Sequence, residues 1–238
     1  EPGTYHGGNL RLSFEQVQIK AKDPGALNTV LNCGMSPCFV TNTTGKGDAA
    51  VNYFPSLIDG FRIVNGSSEK GGCASIQGVK FAVTIKRSVF ENCSASMWGG
   101  AIHIFDSSSL LLDNVTFKSN TGQEAGGAVS SHKTHRVSIV KSKFFNNIAA
   151  SGGGVALVSD NYGSAEKKSQ STVKPELTIS DCTFQGNRAQ RESGTTYMEE
   201  RFDGGAVFAL SAIVLVTDSD VRNNTAERYG GGVFFESG

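Results

Sequence analysis

Gly99-Gly100-Ala101-Ile102-His103-Ile104-Phe105, then Leu110-Leu111-Leu112, then Val115-Thr116-Phe117 and Asn120, is the stretch on which the fold turns. It holds three short apolar runs, at 101–105, 110–112 and 115–117, parted by turns of Ser, Asp, Asn and Lys. None is long enough for a helix and β-branched residues are common, so each run reads as a strand.

The same marks recur along the chain. A glycine pair followed by a small or β-branched residue stands at Gly71-Gly72-Cys73, Gly99-Gly100-Ala101, Gly126-Gly127-Ala128, Gly153-Gly154-Val155, Gly204-Gly205-Ala206 and Gly231-Gly232-Val233. An aromatic precedes an amide by three residues at Phe117/Asn120, Phe144/Asn147 and Phe184/Asn187; Phe90 has Cys93 in the amide's place, and Asn224 has Val221 in the ring's. The second glycine falls at 72, 100, 127, 154, 205 and 232, giving steps of 28, 27, 27, 51 and 27 residues. Such a period means a solenoid or an array. Leucine-rich repeats would need a Leu-x-x-Leu-x-Leu frame that is missing, and propeller blades need about 40 residues or more. The expectation is an all-β right-handed parallel β-helix, three short strands per coil, about seven to eight coils stacked in one dimension.

The recurring residues then have structural work to do. Equivalent strands of successive coils pair about 4.8 Å apart. Phe90, Phe117, Phe144 and Phe184 should therefore stack in a column inside the bore. Asn120, Asn147, Asn187 and Asn224 should line one corner, their amides hydrogen-bonding up the stack. The glycine pair supplies a corner with positive φ and no side chain to meet the next coil. The 51-residue step is one coil with two insertions, near 160–176 and 190–203, both charged (Glu166-Lys167-Lys168 and Met198-Glu199-Glu200-Arg201). Residues 1–70 continue the path less regularly, through runs at 10–14, 17–19, 29–31 and 58–63, with Ile63 and Gly66 as a degenerate aromatic–amide element. The whole of 1–238 reads as one domain. The opening Glu1-Pro2-Gly3-Thr4-Tyr5 shows no basic segment followed by an apolar one, and both ends interrupt the pattern, so the chain reads as a fragment of a longer protein.

Composition narrows the function. Lys+Arg and Asp+Glu are 22 each, a net charge of zero, so no basic excess drives nucleic-acid binding. No apolar run of 18 residues offers a membrane span. Of five cysteines, Cys33 and Cys38 are close enough for a small disulfide loop, while Cys73, Cys93 and Cys182 read as small buried thiols, at least one of the five being unpaired. No Cys-x-x-Cys pair exists, so no zinc site is expected, and no cofactor is implied. Five Asn-x-Ser/Thr sequons (Asn42, Asn65, Asn92, Asn114, Asn223) would permit glycosylation in a secreted eukaryotic chain.

Phe-x-x-Asn paired with Gly-Gly-Ala and an aliphatic residue, over about residues 60–238, resembles the repeats of the chlamydial polymorphic membrane proteins, within the pectin-lyase-like β-helix superfamily. The resemblance implies an adhesive autotransporter passenger exposed at the cell surface. Pro2-Gly3-Thr4-Tyr5 and the run after it look like the opening coil of such β-helices.

Stacking the strands after each glycine pair tests for an enzyme. With Ile102, Val129, Val155 and Val207 inward, the outward columns are His103, Ser130, Ala156, Phe208 and Phe234, and Phe105, His132, Val158 and Leu210. These four-membered and five-membered columns hold no carboxylate pair of the kind glycoside hydrolysis needs. Asp106, Lys133 and Asp160 align only at the strand's end, as a charge ladder; Asp218-x-Asp220 and the pair His132 and His135 are too few for Ca²⁺ or another metal. Gly-His-Gly and Asn-Thr-Asp of polygalacturonases are missing, and Gly3-Thr4-Tyr5 continues as His6-Gly7 rather than toward the glutamate of pectin methylesterases. Phe105, Val158, Phe208, Leu210 and Phe234 instead form an outward apolar stripe, of the sort that meets a partner or lies under an insertion loop. The expected function is a non-catalytic extracellular interaction module that binds a protein or glycan partner, or neighbouring copies. The alternatives are a carbohydrate-active enzyme with its groups on the insertions or outside this stretch, and a spacer stacking end to end.

Overall fold

The computed structural model describes residues 3–6, 18–23, 27–44, 51–53, 56–158, 174–190 and 202–236. Every regular element among them is a strand, and four parallel sheets run the length of the stack. The first sheet follows the glycine corner and holds Phe39–Val40, Ala74–Gln77, Ile102–Phe105, Val129–His132, Val155–Val158, Val207–Leu210 and Val233–Glu236. The second contains Ala82–Lys86, Ser109–Asp113, Arg136–Val140, Glu176–Ser180 and Ile213–Thr217, preceded by Gln18–Lys20 and Leu57–Asp59. The third runs from Gly3–His6 through Thr29–Asn32, Phe61–Val64, Val89–Glu91, Thr116–Lys118, Lys143–Phe145 and Thr183–Gln185 to Asp220–Arg222. Sequential strands go to different sheets and each pairs with its equivalent one coil on. This is a right-handed parallel β-helix.

To the three runs read from the sequence the structure adds a fourth, very short strand per coil: Ser67–Lys70, Ser94–Trp98, Thr121–Gly122, Ile148–Ala149, Arg188–Ala189 and Thr225–Ala226. Most of these have two residues, and the inward one is small and buried, as at Ala95, Ala149 and Ala189. Two residues show no period-2 alternation, so nothing in the apolar pattern announced them. An antiparallel pair, Asn42–Thr44 with Val51–Tyr53, stands outside the four parallel sheets.

The corners explain most of the polar residues between strands. Asp106, Lys133 and Ser211 leave the first sheet, Arg87, Asn114, Lys141, Asp181 and Asp218 leave the second, and Asn65, Asn92, Ser119, Asn146 and Asn223 leave the third, all with φ between 46 and 59°. That left-handed region is where Asn and Asp are tolerated best after glycine. The glycine corner is stricter. A Cβ on Gly100 would lie 2.1 Å from the carbonyl oxygen of Gly127, and one on Gly127 the same distance from Gly153. The coils nest too closely there for any side chain. At Gly152-Gly153-Gly154 and Gly230-Gly231-Gly232 the functional pair is the first two glycines, because Gly152 and Gly230 hold the positive φ and Gly154 and Gly232 occupy the slot of Ala128. The sequence frame, anchored on the last two, is one residue late at both; a triplet of glycines gives no internal mark to choose by.

The bore is filled by Ile102, Ile104, Leu110, Leu112, Val115 and Phe117 and their counterparts, nearly all without exposed surface. Ring centroids are 5.3 Å apart for Phe90 and Phe117, 4.8 Å for Phe117 and Phe144, and 4.4 Å for Phe144 and Phe184, with near-parallel planes. Ile63 pairs in register with Phe90 at the head of this column. Beside it the Asn120 amide donates to Asn147 Oδ1, Asn147 to Asn187 and Asn187 to Asn224, each at 2.9 Å. Each amide also donates to the carbonyl of a phenylalanine, Asn120 to Phe90 and Asn147 to Phe117, on the preceding coil. Cys93, in the amide's place, instead forms a disulfide with Cys73. The Cys33–Cys38 disulfide closes a separation of five residues. Cys182 is free and buried, and burial raises its thiol pKa. Cys73 and Cys93 are therefore a bridge and not the buried thiols expected, since a 20-residue separation in sequence hides their meeting across a corner.

Candidate functional site

The outer face of the first sheet gathers the side chains with the least structural explanation. Ile102, Val129, Val155 and Val207 pair in register and face inward, so the residues after them face away from the bore. One column is Ser75, His103, Ser130, Ala156, Phe208 and Phe234; the other is Gln77, Phe105, His132, Val158, Leu210 and Glu236.

Outward from the bore is not the same as exposed. Phe208 has no exposed surface and Val158 almost none, while Phe105, Leu210 and Phe234 keep part of theirs. Ala125, Ala156, Val158 and Phe208 form a second apolar cluster outside the bore, with Trp98, Leu210 and Phe234 packed on it. Phe208 stacks on Phe234 at 5.7 Å. The stripe thus faces outward from the bore but is covered at Val158 and Phe208, which leaves Phe105, Leu210 and Phe234 as its partly exposed members. Strand register fixes a side chain's direction from the bore, but not what lies over it. The insertions, including Asp160, Glu166-Lys167-Lys168 and Met198-Glu199-Glu200-Arg201, lie outside the described residues.

Toward the other end the face is polar and aromatic. Trp98, the one tryptophan of the chain, sits with its ring 4.5 Å from that of His132 and 5.5 Å from that of His103. Lys70 places its ammonium 4.5 Å from the centre of the indole, within cation–π range. Both histidines are nearly enclosed; burial lowers the pKa of His132 to about 4 and takes that of His103 well below its ordinary value, with Lys70 adding to both. His103 Nδ1, His132 Nε2 and Ser130 Oγ have no hydrogen-bond partner. Glu124 is pushed up by its burial, against the pull of Trp98 and Lys70. Trp98, Lys70 and Glu124 were not singled out in the sequence. They belong to the short fourth strand and its extension to the glycine corner, where the register slips between Ala95 and Trp98.

The remaining sequence candidates fall apart in space or explain themselves. Lys133 packs over the Phe105 ring at 5.9 Å and Asp106 lies 3.8 Å from Lys80, as solvated corner charges do. His135 is exposed while His132 is buried, and Asp220 is engaged by Arg222 at 3.2 Å. Among the described residues no three His, Cys, Asp or Glu side chains gather as metal ligands would. Asn65, Asn92, Asn114 and Asn223 are exposed corner residues with positive φ, each followed two positions on by the Ser or Thr that starts or enters the next strand. A structural demand at the corner thus accounts for four sequons; of Asn42 only the backbone, in its strand, is described.

The chain is similar to the probable autotransporter YfaL of Escherichia coli (strain K12), 31% identical over 149 residues. The match takes in 58% of this chain and 11% of that protein, so the chain spans a small part of its relative's length. No family model matches the chain. No solved structure matches it.

Proposed function

We propose that this chain is part of a surface-exposed, autotransporter-like passenger whose β-helix acts as a rigid, non-catalytic scaffold for contact with a protein or glycan, or with neighbouring copies. The observation that carries this reading is the unbroken run of four parallel ladders in a chain similar to a probable autotransporter. Polar groups inside the stack satisfy one another along its axis, which suits a rod holding its outer residues at fixed spacing. The partly exposed aromatics Trp98, Phe105 and Phe234, with Leu210, are the residues proposed to make contact. Adhesion and surface location rest on this likeness and on the repeat resemblance.

The test pairs binding with turnover. The purified chain is passed over immobilised glycans and extracellular proteins, and in parallel incubated with polyuronides. Saturable binding that Phe105→Ser weakens, without new reducing ends or unsaturated products, is the expected result. Steady product release would replace the scaffold by an enzyme. Antibody labelling of intact against permeabilised cells checks exposure at the surface.

A further inference from the structure

The two disulfides lie against one another. Cys33 Sγ is 3.9 Å from Cys73 Sγ, a van der Waals contact between sulfurs of different bridges. The outer bridge closes a turn whose Met35 is 91% exposed, and of its two sulfur residues Cys38 keeps 6% of its surface against 2% for Cys33. The inner bridge has almost none: Cys73 is wholly buried and Cys93 nearly so. Cys38 is thus the least enclosed of the four bridged cysteines.

We propose that Cys33, Cys38, Cys73 and Cys93 form a thiol–disulfide exchange relay, in which attack by a low-molecular-weight thiol on the outer bridge is passed to the inner one. The incoming thiolate bonds to Cys38 Sγ, the Cys33–Cys38 bond breaks, and Cys33 leaves as the thiolate. That thiolate either takes up a proton, which burial favours, or reacts with a sulfur already in contact with it. Within its contact distance stands Cys73 Sγ. Cys33 attacks it, the Cys73–Cys93 bond breaks, and Cys93 takes up a proton. The products are a mixed disulfide on Cys38, a new Cys33–Cys73 bond and one thiol on Cys93; no electrons enter beyond those of the thiol consumed. Cys93 already has a resting place as a thiol. Its sulfur is 3.7 Å from the Glu91 carbonyl, and its backbone N–H still donates to Asn120 Oδ1 at 3.0 Å. The relay thus moves a covalent tie from the head of the amide column to the coil before it, and leaves the column itself in place.

The native chain is incubated with reduced glutathione, quenched in acid, blocked with N-ethylmaleimide and mapped by peptide mass. Glutathione on Cys38, maleimide on Cys93 and a Cys33–Cys73 cross-linked peptide are expected, with Cys182 labelled throughout as the reference. Maleimide on Cys33 beside an intact Cys73–Cys93 bridge overturns the relay, and so does a chain that takes up no glutathione. A second, independent reading uses Cys38→Ser combined with Cys93→Ser, its fold checked by circular dichroism. In a glutathione redox buffer this variant should join Cys33 to Cys73; recovery of both as free thiols overturns the proposal.

Discussion

Replacing Asn147 by Leu should be among the costliest single changes available in this chain. Asn147 is fully buried and its amide makes four hydrogen bonds. Oδ1 accepts the Asn120 backbone N–H at 3.0 Å and the Asn120 amide at 2.9 Å. Nδ2 donates to Asn187 Oδ1 at 2.9 Å and to the Phe117 carbonyl at 3.2 Å. Leucine has a similar volume and removes all four. The Asn120 amide keeps its bond to the Phe90 carbonyl, but the Asn120 N–H is left in the bore with nothing to bind. A stranded buried donor costs about 1–3 kcal/mol, and each further bond lost about 1 kcal/mol. The sum is roughly 4–6 kcal/mol, a large part of the stability of an ordinary domain. Two companions calibrate it. Asn224→Leu breaks the same kind of contact at the last described rung, where Asn224 itself is only half-buried, and should cost less, about 1–2 kcal/mol. Asn146→Gly, one residue away at an exposed corner with φ of 53°, should stay within about 0.5 kcal/mol of the parent. Urea unfolding followed by circular dichroism reads all three. If Asn147→Leu unfolds within about 1 kcal/mol of the parent, or together with Asn224→Leu, the column is not the cooperative network described.

Phe208→Asp should destabilise the fold by about 4 kcal/mol or more, since it places a carboxylate where no surface is exposed; a melting temperature equal to the parent's would restore Phe208 as an exposed contact residue. Ser131, inward between Ile104 and Leu157 with its hydroxyl unpartnered, should stabilise the chain by about 1 kcal/mol when changed to Val, and a lower melting temperature would mean the hydroxyl is bound after all. Stability should also depend on pH through His132. Its folded pKa of about 4 lies below the unfolded value near 6.5, so the unfolded chain binds the proton more readily. This contribution is fully present above pH 6.5 and is lost as pH falls from there toward 4, by about 2–3 kcal/mol. Unfolding curves at pH 7.5 and 4.5 should lie closer together for His132→Leu than for the parent; equal losses in the two would remove His132 as the cause.

What was legible in the sequence is what repeats and what packs. Phe117 and Phe144 declare a column because equal spacing in a solenoid means contact in space. Asn120 and Asn147 do so because a buried amide needs a partner of its own kind one rung away. Residues whose position depends on a neighbour without that period were harder to place. Cys73 meets Cys93 within one coil, across a corner, and no spacing rule marks it. Trp98 and Glu124 lie on the short fourth strand and the stretch leading from it, where too few residues alternate to show a face. The direction of Phe208 followed from register, but its burial depends on whatever lies above the sheet. The sequons look like signals for glycans, yet Asn is also the residue that a left-handed corner selects.

The amide column has a sense. In every step from Asn120 to Asn224 the nitrogen lies on the earlier coil and the oxygen on the later one. The small dipoles add rather than cancel, so the row resembles a one-way chain of links, its acceptor at the Asn120 end taken by the Cys93 N–H and its donor side turned toward Asn224. Two such rows set with their Asn224 rungs face to face would oppose donor to donor, so the column can be continued only by a rung of the same polarity, never by its mirror image.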